Sequence, residues 1–248
     1  MIQRNIIRDL FVYLITSVRY LLLKGRVLLF VKDLTSFFEW RKYRMSAKGT
    51  LDYKIPWLVF SCIQFLENWL TKDMLVFEYG SGGSTLFFAE RTSFVISVEH
   101  DQEWYYNAKK AMEESGLLNI QYKLFVPEPD AHFDSKDPAD PKHDISGFME
   151  YNQLQFEKYA KAIDHFPDEH FDLVVVDGRV RSSCILHAMK KVKKGGALLI
   201  DNADRKQYLQ PFPELQDNNK WKQTDFTGHF PYGPASVLNT TKVFLKKI

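Results

Sequence analysis

Cysteine is scarce in this 248-residue chain: Cys62 and Cys184 are the two present, too few and too far apart for a disulfide framework or a metal knuckle. Both suit reduced core positions, which fits a cytoplasmic chain. Glycine (12) and proline (10) are ordinary in number, which excludes collagen-like and low-complexity readings. No apolar run approaches the roughly 20 residues that a spanning helix needs. Arg8, Arg19, Lys24, Arg26 and Lys32 interrupt the first apolar stretch, and no small-residue cleavage site follows it, so a secretory signal fits poorly. A strong excess of one charge is also missing, with 33 Lys and Arg against 31 Asp and Glu. A chain-wide charge argument for binding nucleic acid therefore fails, and no nucleic-acid partner is expected.

What is present is a large apolar fraction, 45%, with 15% aromatic residues, enough for one full core and an appendage. The charge is unevenly spread. Residues 1–45 hold nine basic residues, including Arg4, Arg41, Lys42 and Arg44, against Asp9, Asp33 and Glu39; this segment is +6 and the remainder −4. Ile6, Ile7, Leu10, Phe11, Leu14, Ile15, Val18, Leu21 and Leu22 recur on one broad helical face. A basic amphipathic helical extension over 1–45 is the expectation. Two readings stand for it: helices packed on the rest of the chain or on a second copy in a homodimer, or a peripheral surface on an anionic membrane.

Beyond it, 46–52 reads as a linker and Pro56 as the first turn of a helix reaching Trp69. Strand patterns at 74–78, 94–98, 120–126, 171–176 and 197–200 alternate with helical patterns at 84–90, 102–115 and 182–192. The last of these strands is entered through a Gly195–Gly196 turn. Two further strands, 221–226 and 241–245, are separated only by a loop, 229–239. The expected fold is α/β, a Rossmann-like seven-stranded, mostly parallel sheet with a C-terminal antiparallel hairpin over 46–248. Residues 127–151, rich in Pro and Asp, break the alternation at the carboxyl end of a strand, the edge where such sheets bind ligands. A substrate lid and a solvated insertion both fit this segment.

The strongest motif is Val76-Phe-Glu-Tyr-Gly-Ser-Gly-Gly-Ser-Thr85, between a strand and a helix. Gly80, Gly82 and Gly83 permit a tight turn and close approach to a ligand, and Ser84 or Thr85 can cap the helix. A dinucleotide fingerprint needs glycine at position 85, and Glu78 would repel a pyrophosphate, so a nicotinamide enzyme is disfavoured. The motif resembles that of class I S-adenosylmethionine-dependent methyltransferases, over about residues 55–248. That resemblance implies S-adenosyl-L-methionine as cofactor, with Glu78, Gly80, Ser81, Gly82, Ser84 and Thr85 around its methionine end. Glu99, ending the second strand, would take the ribose hydroxyls. His100 would lie near the adenosine or simply on the surface, and Trp104 would cover the adenine or pack helix on sheet.

At the same edge stand Asp177, closing the fourth strand, and Asp201 with Asn202, closing the fifth. The set is similar to that of divalent-cation-dependent O-methyltransferases of the catechol and caffeoyl-CoA types, which implies Mg2+ or another divalent cation on Asp177, Asp201 and Asn202. Those enzymes carry a lysine base three residues after the first Asp; here the position is Val180. The cluster is therefore a metal site, or a metal-free cradle in which Asp177 touches the cofactor and Asp201 takes the substrate proton. Asp177, Asp201 and Arg179 are the catalytic candidates, and Arg181 and Arg205, with Arg179, would bind an anionic group. His132, His143 and His229 are alternative bases on loops. The chain also looks like a group of bacterial methyltransferase-like proteins with Glu-Tyr-Gly-Ser-Gly and Asp-Gly-Arg motifs, and more distantly like glycan O-methyltransferases of uronic acids. The implied activity is O-methylation of a small-molecule or glycan acceptor; the alternative is a non-catalytic binding protein of the same fold, tethered by its N-terminal helices.

Overall fold

The computed structural model describes residues 5–248, so Arg4 of the basic extension lies outside the described residues. Three helices come first: α1 (Ile6–Tyr20), α2 (Val27–Thr35) and α3 (Phe37–Met45). A short α4 (Thr50–Tyr53) and α5 (Phe60–Trp69) lead into the sheet. Pro56 does not open α5 as expected. The chain bends at Trp57 and Leu58, Val59 is extended, and the first free amide of the helix, Phe60 N, donates to the carbonyl of His229 at 3.1 Å.

The alternation then runs β1 (Leu75–Tyr79), α6 (Gly83–Ala89), β2 (Phe94–Glu99), α7 (Gln102–Glu114) and β3 (Ile120–Leu124). A two-residue pairing, β4 (Glu128–Pro129) with β5 (Leu154–Gln155), closes off the insertion, followed by α8 (Glu157–Ala160). The rest is β6 (Phe171–Val176), α9 (Arg181–Ala188), β7 (Val192–Ile200), α10 (Lys206–Leu209), β8 (Trp221–Gly228) and β9 (Asn239–Lys246). The seven-stranded sheet has the order β3-β2-β1-β6-β7-β9-β8. Its first five strands are parallel, and β9 inserts antiparallel between β7 and β8. The expected sheet and terminal hairpin are both present. The Gly195–Gly196 pair lies inside β7 and not ahead of it: the register jumps from Phe171↔Val192 to Leu173↔Ala197, and a Cβ on Gly196 would stand 2.7 Å from the carbonyl of Asp172. The glycines mark a bulge.

Both faces of the sheet are covered, so the central strands read as continuous apolar runs. Val76, Leu173, Val175 and Leu199 face one core, which also takes in Tyr13, Phe37 and Trp40 of the N-terminal helices. Phe77, Tyr79, Val174, Val176 and Ile200 face the other, against α8 and α9. Strand order reverses between β1 and β6, which leaves a crevice at their carboxyl ends.

Candidate functional site

The crevice begins where β1 runs into Gly80, which has φ +88° and whose Cβ, if it had one, would lie 2.8 Å from Gly178 Cα. The turns after β1 and β6 touch there, and both need glycine: a Cβ on Gly178 would meet the Tyr159 hydroxyl at 1.9 Å. Beneath the turn, Glu78 stands opposite Ser97 in the β1–β2 register and accepts from Ser97 Oγ at 2.7 Å and Thr85 Oγ1 at 2.5 Å. Thr85 Oγ1 in turn accepts from Gly82 N at 3.2 Å. Glu78 is fully buried and its Oε1 has no partner among the described residues. Burial pushes its pKa up to about 7 against the pull of the Ser84, Thr85 and Ser97 hydroxyls. Glu78 and Thr85 therefore brace the turn from below instead of lining the crevice, a correction to their expected contact with a cofactor.

The other expected groups do converge. Gly80, Ser81, Gly82, Ser84, Glu99, His100, Asp177, Arg179, Arg181, Asp201 and Asn202 all line one cleft of about 700 Å³. Glu99 ends β2 with both oxygens engaged: Oε2 accepts from Ser81 N at 3.1 Å and Ser81 Oγ at 2.8 Å, Oε1 from His100 N at 2.7 Å and Asp101 N at 3.0 Å. Burial works to raise its pKa, but the His100 ring, 2.7 Å away, and the Asp101 and Ser81 amides outweigh it and hold the carboxyl below its ordinary value. His100 Nε2 lies 3.0 Å from the Tyr151 hydroxyl, and Trp104 Nε1 donates to Ser81 O at 2.9 Å. Aromatic rings thus flank the Glu99 end of the cleft.

At the other end the guanidinium of Arg181, 7% exposed, stands between the two aspartates. Its Nη2 donates to Asp177 Oδ1 and to Asp177 O at 2.8 Å, Nε to Gly178 O at 3.0 Å, and Nη1 to Asp201 O, with Asp201 Oδ2 at 3.7 Å. Asp201 also accepts from Thr241 Oγ1 at 2.6 Å and, through both oxygens, from Asn239 Nδ2 at 3.1 Å. Asn202 donates its amide to Asn239 Oδ1 at 2.8 Å. A divalent cation does not fit this arrangement, because a fixed positive charge already bridges the two carboxylates and Asn202 is turned to Asn239. No group of three or more His, Cys, Asp or Glu among the described residues is placed to hold a metal. The expected metal set of Asp177, Asp201 and Asn202 is corrected on that ground.

Arg181 is equally corrected as a substrate anchor, since its donors serve the protein. Asp201 is 3% exposed and saturated, so it is not a free base. Asp177, its side chain 26% exposed, keeps an oxygen for the cleft. Burial and the neighbouring Asp201 carboxylate push its proton affinity well up, against the pull of Arg181. Arg205 lies outside the cleft, in a neighbouring groove, and donates to the Tyr208 hydroxyl at 2.9 Å. Arg179 lines the cleft beside Glu150 (3.5 Å) and the rings of Phe148 and Tyr151, and its buried Nε has no partner among the described residues.

His229 is 1% exposed and bound to Asp33, and His132 and His143 do not line the cleft, so none of the three histidines is a base here. Trp57, Phe230, Tyr232 and Asn239 also line the cleft; sequence reasoning singled out none of them, though the last three lie in the 229–239 loop expected to shape the acceptor site. The antiparallel pairing of β9 with β7 brings Asn239 and Thr241 to Asp201. The expected terminal hairpin carried that signal, but not its insertion order.

No protein-family model matches the chain, and no curated protein matches it in sequence. Solved structures match it in fold. An rRNA methylase from Streptococcus thermophilus superposes with a TM-score of 0.51 at 13% identity, covering 75% of this chain and 93% of its own. An O-methyltransferase from Bacillus cereus, solved in complex with SAH, has a TM-score of 0.51 at 13% identity, covering 82% and 93%. The chain has the class I methyltransferase fold. At such identities the likeness carries the fold alone, and the cleft described above occupies that fold's switch point between β1 and β6.

Proposed function

We propose that the chain is an S-adenosylmethionine-dependent methyltransferase acting on oxygen, at a hydroxyl or carboxylate of a small-molecule or glycan acceptor. The observation that carries this reading is the meeting, in one cleft, of the Gly80–Ser84 turn, the Glu99 carboxylate and Asp177. The cleft's volume lies within the roughly 300–1,000 Å³ of small-molecule sites. Glu99 would receive the ribose hydroxyls, the Ser81 hydroxyl giving way, while His100, Trp104 and Tyr151 would enclose the adenine. The acidic lining suits a sulfonium, which supplies an already electrophilic methyl group.

Chain residues then have two tasks. Arg179, with its unpartnered Nε, would hold an anionic group of the acceptor by a charge-assisted bond. Asp177, part-exposed on the cleft and held by Arg181, would take the hydroxyl proton, and the bound sulfonium would supply the methyl group to the acceptor oxygen. Arg181 keeps Asp177 in place and no metal is required.

Isothermal titration with S-adenosylhomocysteine tests the reading. The wild type should bind, and Glu99→Ala should lose that binding at least tenfold, because hydrogen bonds to a charged group worth about 1.5–3 kcal/mol are removed. No binding by the wild type removes the methyltransferase reading. Binding without methyl transfer to any hydroxyl or uronate acceptor would favour the non-catalytic alternative.

A further inference from the structure

The N-terminal helices present their faces the wrong way round for a water-exposed layer. In α1 the residues turned inward are Tyr13, Thr16 and Ser17, and Ile7, Leu10, Phe11, Leu14 and Ile15 point outward. The inner polar side is fully used. Ser17 Oγ donates to Asp33 Oδ2 at 2.6 Å, Tyr13 OH to Asp33 O at 2.7 Å, and His229 N to Asp33 Oδ1 at 2.7 Å. The outer side continues through Leu22, Leu23, Val27, Leu28 and Val31. Ile7, Phe11, Leu23 and Leu28 are 62–77% exposed, and large exposed apolar surface of this kind marks an interaction site.

Charge decides what covers it. Arg8, Arg19, Lys24 and Lys32 are exposed on the same stretch, whereas Arg26 Nη1 is turned to Thr227 Oγ1 at 3.1 Å. Its two carboxylates are withdrawn: Asp33 is buried, and Asp9 lies 3.5 Å from Arg41 Nε with 16% of its side chain exposed. A second copy docked across a two-fold axis would bring the same cations face to face with no anions between them. No described helix is long and apolar enough to cross a membrane.

We propose that the face formed by residues 5–32 docks on an anionic lipid surface, with the apolar side chains in the acyl boundary and Arg8, Arg19, Lys24 and Lys32 at the headgroups. The proposal is independent of methyl transfer. It also bears on the cleft, because the same helical layer holds the loop between β8 and β9. Trp40 Nε1 donates to Gly233 O at 2.9 Å and Arg44 Nη1 to Tyr232 O at 3.1 Å, next to the cleft residues Phe230 and Tyr232.

Flotation of the full chain with vesicles tests it. The protein should float with phosphatidylcholine vesicles containing phosphatidylglycerol and stay behind with phosphatidylcholine alone, and added salt should release it. Arg19→Gln with Lys24→Gln should weaken partitioning roughly thirtyfold, from about 1 kcal/mol per cation. Phe11→Asp with Leu28→Asp should abolish it, while both double variants melt like the wild type because the altered side chains are exposed. A wild type that stays behind with the anionic vesicles overturns the proposal. So does a solution dimer that Phe11→Asp with Leu28→Asp dissociates, since a second copy would then own the face. Neither result touches S-adenosylhomocysteine binding, which is measured separately.

Discussion

Two buried carboxylates, one in each region of the molecule, solve the same problem with different partners. Asp201 at the sheet edge is held by Arg181, Thr241 and Asn239; Asp33 in the N-terminal layer is held by His229, Ser17 and a backbone amide. At the sheet edge the paired charge faces a cleft, and neighbouring Asp177 keeps one side open to it. In the helical layer the paired charge faces inward, and what the layer turns outward is apolar. The first arrangement organises polar chemistry inside the molecule. The second seals polar groups away so that the exterior can be hydrophobic. Buried polar groups must be satisfied wherever they lie, so the difference lies in what each network leaves uncovered.

Arg181→Met would strike this comparison hardest. Two carboxylates would remain without their guanidinium, a loss of about 3–5 kcal/mol that a thermal melt would register. Mg2+ should then raise the Tm of the variant and leave that of the wild type unchanged, since the cation takes the place the side chain held. Asp33→Ala comes next, at about 3 kcal/mol, because it orphans the buried His229 ring. Its mark should be early proteolytic cleavage within residues 5–45, which no sheet-edge variant shares.

Glu78 offers a test by pH. Its folded pKa, about 7, lies above the ordinary value of 4.5. The folded state therefore binds the proton more tightly, and that stabilisation is full below pH 4.5 and lost as pH rises toward 7. Glu78→Gln should remove about 3 kcal/mol of this decline, seen as a flatter plot of denaturation midpoint against pH. The smallest expected effect is that of Tyr151→Phe. Loss of the bond to His100, about 1 kcal/mol, should speed amide exchange across 127–151 with little change in Tm.

The comparison also shows where sequence reading stops. Alternating apolar runs and the Gly80–Thr85 turn made the sheet legible, because a strand buried on both faces and a glycine at positive φ leave few alternatives. Glu99 and Asp177 were legible as site groups because strand ends in a parallel sheet share one edge. Glu78 was not legible as a brace, since its side-chain direction depends on the pairing with Ser97. Arg181 was equally hidden. Its spacing from Asp177 suits an ion pair, but that it also reaches Asp201, and so excludes a metal, depends on how β6 and β7 pair.

The N-terminal segment sharpens the same point. The helices within residues 6–45 and their basic charge were legible in the sequence, because helical periodicity and charge are local properties. Which face turns inward was decided by tertiary structure. Tyr13, Ser17 and Asp33 find partners in each other and in His229, nearly 200 residues away, and a buried polar network of that reach leaves the apolar stripe outside. Periodicity measures how strongly a helix is divided into two faces, and only packing decides which of them meets the core.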